Sequence, residues 1–112
     1  MMTMRKSLIA AGCAALLAAA PLMFGQKKGD AAKGKSAFED NCSVCHNSDS
    51  TEKKMGPGLK GEMKKAKMAN GKAPTEANIR ALMNTGGNGM PAFADMLSDT
   101  ERDDVMAFLK TL

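Results

Sequence analysis

A cluster of two thiols and one imidazole is the feature of this sequence with the most distinctive chemistry. It is the run Cys42-Ser43-Val44-Cys45-His46, in which the cysteines lie three positions apart and the histidine follows at once. Thiols at this spacing can form thioether bonds with the two vinyl-derived carbons of a haem, and the adjacent imidazole can ligate its iron. The pattern therefore predicts one covalently bound haem c, attached through Cys42 and Cys45, with His46 as an axial iron ligand.

Two other uses of a C-x-x-C pair fit the rest of the chain less well. A thioredoxin-like redox pair is expected in a βαβ unit, and no segment here alternates apolar and polar residues as strands do. A structural zinc ion needs four ligands, whereas the chain has one histidine and three cysteines, of which Cys13 lies in the apolar N-terminal segment. A zinc site would therefore need a second chain.

The other axial ligand of such a haem must be of another residue type, because His46 is the only histidine. Methionine is the soft thioether ligand that ferrous haem favours, and Met90 lies in a glycine-rich, non-helical stretch before Pro91 that can present its sulfur rigidly. On the residues alone the choice stays open. The remaining methionines are predicted to fill the core or to lie in solvated linkers: Met55, Met63, Met68, Met83, Met96 and Met106.

Helical periodicity provides elements that would hold these residues. A first helix is predicted from the N-cap Asp30 to about Cys42, with Gly34 and Phe38 on one face. Because Gly34 has no side chain, another helix can approach closely there. The last helix begins at the capping box Ser98-Asp99-Thr100-Glu101. Its apolar residues follow helical spacing: Val105, Phe108, Leu109 and Leu112.

Two more helices are predicted between these. One runs from Thr75 to about Asn84, ending before the run Gly86-Gly87-Asn88-Gly89. Its inward residues are Ile79, Leu82 and Met83. A shorter helix is predicted from about Gly61 to Asn70. The result is an all-α domain with a small core, which a covalent cofactor would stabilise.

From Gly29 to Leu112 the chain resembles the small bacterial class I monohaem cytochromes c. The resemblance implies a compact class I cytochrome c fold, with three main helices plus short helices and loops wrapped around one covalent haem. It also implies that the first helix crosses the last near Phe108. The matching segments are Gly34 with Phe38, Cys42-Ser43-Val44-Cys45-His46, Gly56-Pro57-Gly58-Leu59, Gly89-Met90-Pro91-Ala92-Phe93 and the terminal helix through Ala107-Phe108-Leu109.

The same resemblance implies roles for individual residues. His46 and Met90 would be the axial ligands of the iron, and the Pro57 carbonyl oxygen would accept a hydrogen bond from the other ring nitrogen of His46. Without the resemblance, Gly56-Pro57-Gly58 is simply a turn. Members of the family often bind a haem propionate through Tyr or Trp, and this chain has neither. The propionate contacts are therefore unassigned.

The N-terminal residues have the composition of an export signal. Two basic residues precede an almost wholly apolar stretch from Ser7 to Phe24, and polar residues begin at Gln26. We predict a signal peptide over residues 1–25 and one cytochrome c domain over residues 26–112. The protein would then be periplasmic or at the outer face of the cytoplasmic membrane. The cleavage site stays open, as do an uncleaved membrane anchor and a lipid anchor on Cys13.

Charge is unevenly distributed after residue 25, where fourteen basic and twelve acidic residues leave a net charge of about +2. A lysine-rich region, residues 53–72, precedes an acidic region, residues 95–104. Because the chain lacks Trp and Tyr, the lysine-rich region has no stacking residues for nucleic acid. It is either a solvated face or a surface that steers an acidic redox partner.

These features together predict an electron carrier and not an enzyme. If His46 and Met90 fill both axial positions, the iron has no open site for substrate, and its chemistry is one-electron exchange. The expected partners are redox proteins, respiratory or dehydrogenase, that donate and accept the electron. Two alternatives stay open: a haem enzyme or gas-binding module with a labile or absent methionine ligand, and a membrane-tethered electron-transfer subunit of a larger complex.

Overall fold

Three α-helices form the regular structure of residues 29–112, the part of the chain that the computed structural model describes. They are α1 (Ala31–Asn41), α2 (Glu76–Thr85) and α3 (Asp99–Leu109), with a single 3-10 turn at Glu62–Lys64. These residues contain no strand. The all-α prediction is confirmed over this range. The predicted signal peptide, its cleavage site and Cys13 lie outside the described residues.

The predicted starts of α1 and α3 are confirmed by the capping geometry. The Asp30 carboxylate accepts hydrogen bonds from the amides of Ala32 and Lys33 at 2.9 and 3.1 Å. At α3 the Ser98 hydroxyl accepts from the Glu101 amide, while the Glu101 carboxylate accepts from the Ser98 amide. These reciprocal bonds satisfy amides that the first helical turn leaves unpaired.

The crossing of α1 and α3 closes the fold at its most tightly packed point. A Cβ atom on Gly34 would overlap the backbone carbonyl of Asp104, so the two helix backbones touch there. One turn further on, the Phe38 and Phe108 rings pack at 5.3 Å between centroids with a tilt of 57°. The buried Asp104 carboxylate also accepts a hydrogen bond from the Asp30 amide at 2.7 Å. The implied crossing of the first and last helices is therefore confirmed.

Polar contacts hold α2 against α3. The buried Arg102 guanidinium donates to the Asn84 side chain at 2.6 Å, and Arg80 forms an ion pair with Asp103.

None of the helices between residues 29 and 112 is long and apolar enough to span a bilayer.

The helix predicted from Gly61 to Asn70 is wrong apart from its first turn. Only the 3-10 turn at Glu62–Lys64 forms, and a separate turn follows in which the Gly71 amide donates to Met68 at 2.9 Å. Gly61 has a φ of 71°, a left-handed conformation that an α-helix cannot include. The segment is also short and rich in lysine, so nucleation and charge repulsion both oppose an isolated helix.

Candidate haem-attachment site

The C-x-x-C-H motif occupies the turn that directly follows α1. The Cys42 amide caps the helix by donating to the Phe38 carbonyl at 2.7 Å. The amides of Cys45 and His46 then both donate to the Cys42 carbonyl, at 3.1 and 2.9 Å. This tight turn places both cysteines and the histidine on the wall of the same cavity.

The two cysteines of the motif are free thiols, each half-buried. Burial, and secondarily the neighbouring Cys45, raises the pKa of the Cys42 thiol to about 11. Cys42 therefore stays protonated at neutral pH. The Cys45 sulfur lies 3.9 Å from the sulfur of the exposed Met55.

The imidazole of His46 is fixed by the loop that follows the motif. Its Nδ1 lies 2.7 Å from the Pro57 carbonyl oxygen. A proton on Nδ1 leaves the lone pair of Nε2 free to ligate a metal. Gly56 packs flat against the ring, because a Cβ there would lie 2.5 Å from His46 Cε1. The Gly56 amide also donates to the Cys45 carbonyl at 2.8 Å, which holds this loop to the motif.

The cavity beside the motif has a volume of about 490 Å³ and a mostly apolar wall. This is within the range of roughly 300–1,000 Å³ of small-molecule and cofactor sites. Two free thiols and an oriented imidazole on the wall of such a cavity are the donor set that covalent haem attachment requires. The residues present therefore fit haem c.

Met90 reaches this cavity from a tight turn after α2. Its amide and carbonyl both pair with Gly87 at 3.0 Å, and the central residues Asn88 and Gly89 have φ angles of 51° and 88°. Positive φ at both central positions is typical of a type I′ turn, for which Asn-Gly is the preferred pair. The structure thus brings Met90 and His46, distant in sequence, to one cavity.

Four further methionines also line the cavity, which the sequence did not indicate: Met55, Met63, Met68 and Met83. Met68 and Met83 are buried in the core, as expected, and Met55 is 78% exposed. Sequence reasoning also missed that Gly56 packs on His46 and that Glu62 lies in the cavity wall. A Gly-Pro-Gly turn and one glutamate among lysines carry no signal for either contact.

Residues 29–112 contain no cluster of three or more His, Cys, Asp or Glu side chains that could hold a metal ion.

The comparisons with known proteins all match cytochromes. The family model described as "Cytochrome C oxidase, cbb3-type, subunit III" matches residues 29–109. Cytochrome c6 of Leptolyngbya boryana is 38% identical over 80 residues, covering 71% of this chain and 89% of that protein. Cytochrome c6 of Synechocystis sp. is 35% identical over 83 residues, 71% of this chain, and the match spans only 63% of that protein's length.

A solved structure is also similar to this chain. It is cytochrome c6 from the diatom Phaeodactylum tricornutum, with a TM-score of 0.60 and 30% sequence identity. The superposition covers 74% of this chain and 93% of the diatom protein.

Proposed function

The chain belongs to the cytochrome c family, and from this premise we propose that it is an exported one-electron carrier with a single covalently bound haem c. The predicted family resemblance and class I fold are confirmed by the same matches. The observation that carries the proposal is the convergence of both cysteines, His46 and Met90 on one apolar cavity. The relatives named cytochrome c6 support electron transfer, and not catalysis, as the role.

Each residue of the site has a defined task in this proposal. Cys42 and Cys45 hold the haem covalently, which prevents its loss from a small domain. His46 ligates the iron through Nε2, and the Pro57 carbonyl orients the ring and increases its basicity by accepting from Nδ1. Met90 completes the coordination and excludes substrates and water from the iron. When bound, the haem supplies one-electron exchange between its ferrous and ferric states.

The direct test of this proposal is the mass and the optical spectrum of the protein purified from a host that attaches haem c. The polypeptide should retain the mass of one haem after denaturation, and both redox states should have low-spin spectra. A polypeptide mass without haem would contradict the proposal.

Gly56→Ala should raise the reduction potential by on the order of tens of millivolts, a small part of the ~0.8 V that axial ligation spans. The added Cβ would push the His46 ring away from the Pro57 carbonyl, and a less basic imidazole stabilises the ferric state less. Spectroelectrochemical titration measures the shift. Pro57→Ala is the matched control, because it keeps the backbone carbonyl, and a shift of equal size in both variants would contradict the role given to this hydrogen bond.

The partners of this carrier are proposed to be redox proteins with acidic docking surfaces. The argument rests on the lysine-rich region, residues 53–72, in which every lysine is exposed: Lys53, Lys54, Lys60, Lys64, Lys65, Lys67 and Lys72. Concentrated positive charge speeds encounter with negative partners and is screened by salt.

Oxidation by anionic ferricyanide should therefore slow by about tenfold as salt rises from about 10 to about 200 mM. Stopped-flow kinetics measure this rate. A cationic cobalt complex serves as the control oxidant, and its rate should rise under the same change. Oxidation rates that do not change with salt for either oxidant would show that the lysine-rich region does not steer charged partners.

A second candidate is a membrane-tethered electron-transfer subunit of a larger complex. The observation that favours it is the matching family model, whose description names an oxidase subunit. Membrane fractionation combined with N-terminal sequencing of the mature protein separates the two candidates. A cleaved, periplasmic product supports the free carrier, and an intact N-terminus in the membrane fraction supports the tethered subunit.

A further inference from the structure

Glu62 is a buried carboxyl group in the cavity wall that the proposed function does not use. The residue is 8% exposed and lines the cavity that fits the haem. It begins the 3-10 turn, where its amide donates to the Leu59 carbonyl at 3.1 Å and its carbonyl accepts from the Lys65 amide at 3.2 Å. The backbone on both sides of Glu62 is therefore fixed. Burying an ionised carboxylate in such a place costs free energy unless a nearby charge compensates it, so an incompletely paired one indicates a function.

The positive charge beside this carboxylate offsets only part of the free-energy cost of burying it. The Lys65 ammonium lies 2.9 Å from Glu62 Oε2, but that oxygen is buried and makes no hydrogen bond of normal angle. The Lys65 side chain is 43% exposed against 11% for Glu62, so solvent screens the pair from the lysine side. The other charged or titratable side chains among the described cavity-lining residues are Lys53, His46 and the two cysteines, whose ionisation thioether formation removes.

We propose that Glu62 takes up a proton when the bound haem is reduced, so that this residue makes the reduction potential of the carrier depend on pH. The inference rests on the proposed function, since it requires the haem. An ionised carboxylate in a cavity of low polarity stabilises the ferric state, which has one more positive charge than the ferrous state. Reduction removes that charge, and the proton affinity of Glu62 rises.

The coupled step balances in charge and atoms. One electron arrives from the donor protein, and one proton from solvent forms an O–H bond on the Glu62 carboxylate. The proton leaves hydronium in the solvent, so one O–H bond breaks as the other forms, and the total charge of the cavity is unchanged. Its slight exposure gives Glu62 access to that proton.

The sign of the pH dependence follows from this coupling. Where Glu62 is protonated in both redox states, it carries no charge and has no effect. As pH rises and Glu62 ionises, the ferric state gains stability and the potential falls. If the ferrous protein binds the proton about tenfold more tightly, the total fall is about 59 mV for a one-electron couple.

The test measures the reduction potential of the haem-loaded protein against pH by spectroelectrochemistry, for wild type and Glu62→Gln. The variant keeps the shape and polarity of the side chain but cannot ionise. Its potential should equal that of wild type at acidic pH and exceed it increasingly at higher pH. Glu52→Gln is the matched control, because Glu52 is exposed and does not line the cavity.

A second variant tests the proposal without altering Glu62. Lys65→Gln removes the paired ammonium, so the fall in potential should begin at a higher pH than in wild type. Lys64→Gln removes the same charge from the same turn without touching the ion pair, and it should leave the onset of the fall in place.

The outcomes separate this proposal from the one that it rests on. A low-spin haem whose potential has the same pH profile in wild type and Glu62→Gln, or differs by a constant offset, overturns the role of Glu62 alone. The role of Glu62 is likewise overturned if the reduction potential begins to fall at the same pH in Lys65→Gln and Lys64→Gln. If the wild-type protein retains no haem, the proposed function and this inference are overturned together.

Discussion

Met90→Ala should lower the reduction potential by on the order of 0.1–0.2 V, within the ~0.8 V that axial ligands span in haem proteins. As the proposed iron ligand, the thioether sulfur of Met90 would favour the ferrous state, and the water or hydroxide that would replace it is a harder ligand that would favour the ferric state. The same substitution opens a coordination position, so carbon monoxide should bind rapidly to the reduced variant and slowly to wild type. Spectroelectrochemistry and stopped-flow mixing measure the two effects.

Met63→Leu is the matched control for this prediction, because Met63 also lines the cavity and leucine conserves its volume. Its potential and carbon monoxide kinetics should remain close to those of wild type. If Met63→Leu lost the low-spin spectrum while Met90→Ala kept it, Met63 would be the ligand. Rapid carbon monoxide binding by wild type itself would favour the gas-binding alternative over the carrier.

Gly34→Ala should destabilise the holoprotein by about 3 kcal/mol or more, a large fraction of the stability of a small domain. Alanine is the better helix former by about 1 kcal/mol, so intrinsic propensity predicts the opposite sign. The added Cβ would overlap the Asp104 carbonyl, and α1 and α3 would have to separate. Separation would also loosen the contact between the Phe38 and Phe108 rings. Denaturant unfolding followed by circular dichroism measures the change.

Ser36→Ala provides the comparison, because Ser36 is exposed on the same helix and its replacement changes propensity alone. This variant should be as stable as wild type or slightly more so. Equal stability of Gly34→Ala and wild type would mean that the backbones of α1 and α3 are not in contact at Gly34.

The site could be predicted from the sequence to the extent that its chemistry is local. The C-x-x-C-H spacing identifies a haem-attachment motif without reference to the rest of the fold, because five consecutive residues hold both thiols and the imidazole. Met90 could be proposed from its glycine-proline loop, but the choice among the methionines depended on a family resemblance. Four other methionines prove to line the same cavity, and only a folded chain shows this.

The sequence alone determined the all-α class and the starts of α1 and α3, and it singled out the two cysteines proposed for haem attachment, because caps, helical periodicity and the haem motif each act within a few residues. Tertiary structure decided what depends on distant parts of the chain meeting. It placed Gly56 against His46 and Glu62 in the cavity wall, and it reduced the predicted helix after Gly61 to one 3-10 turn. Such contacts depend on packing between segments, which local propensity does not encode.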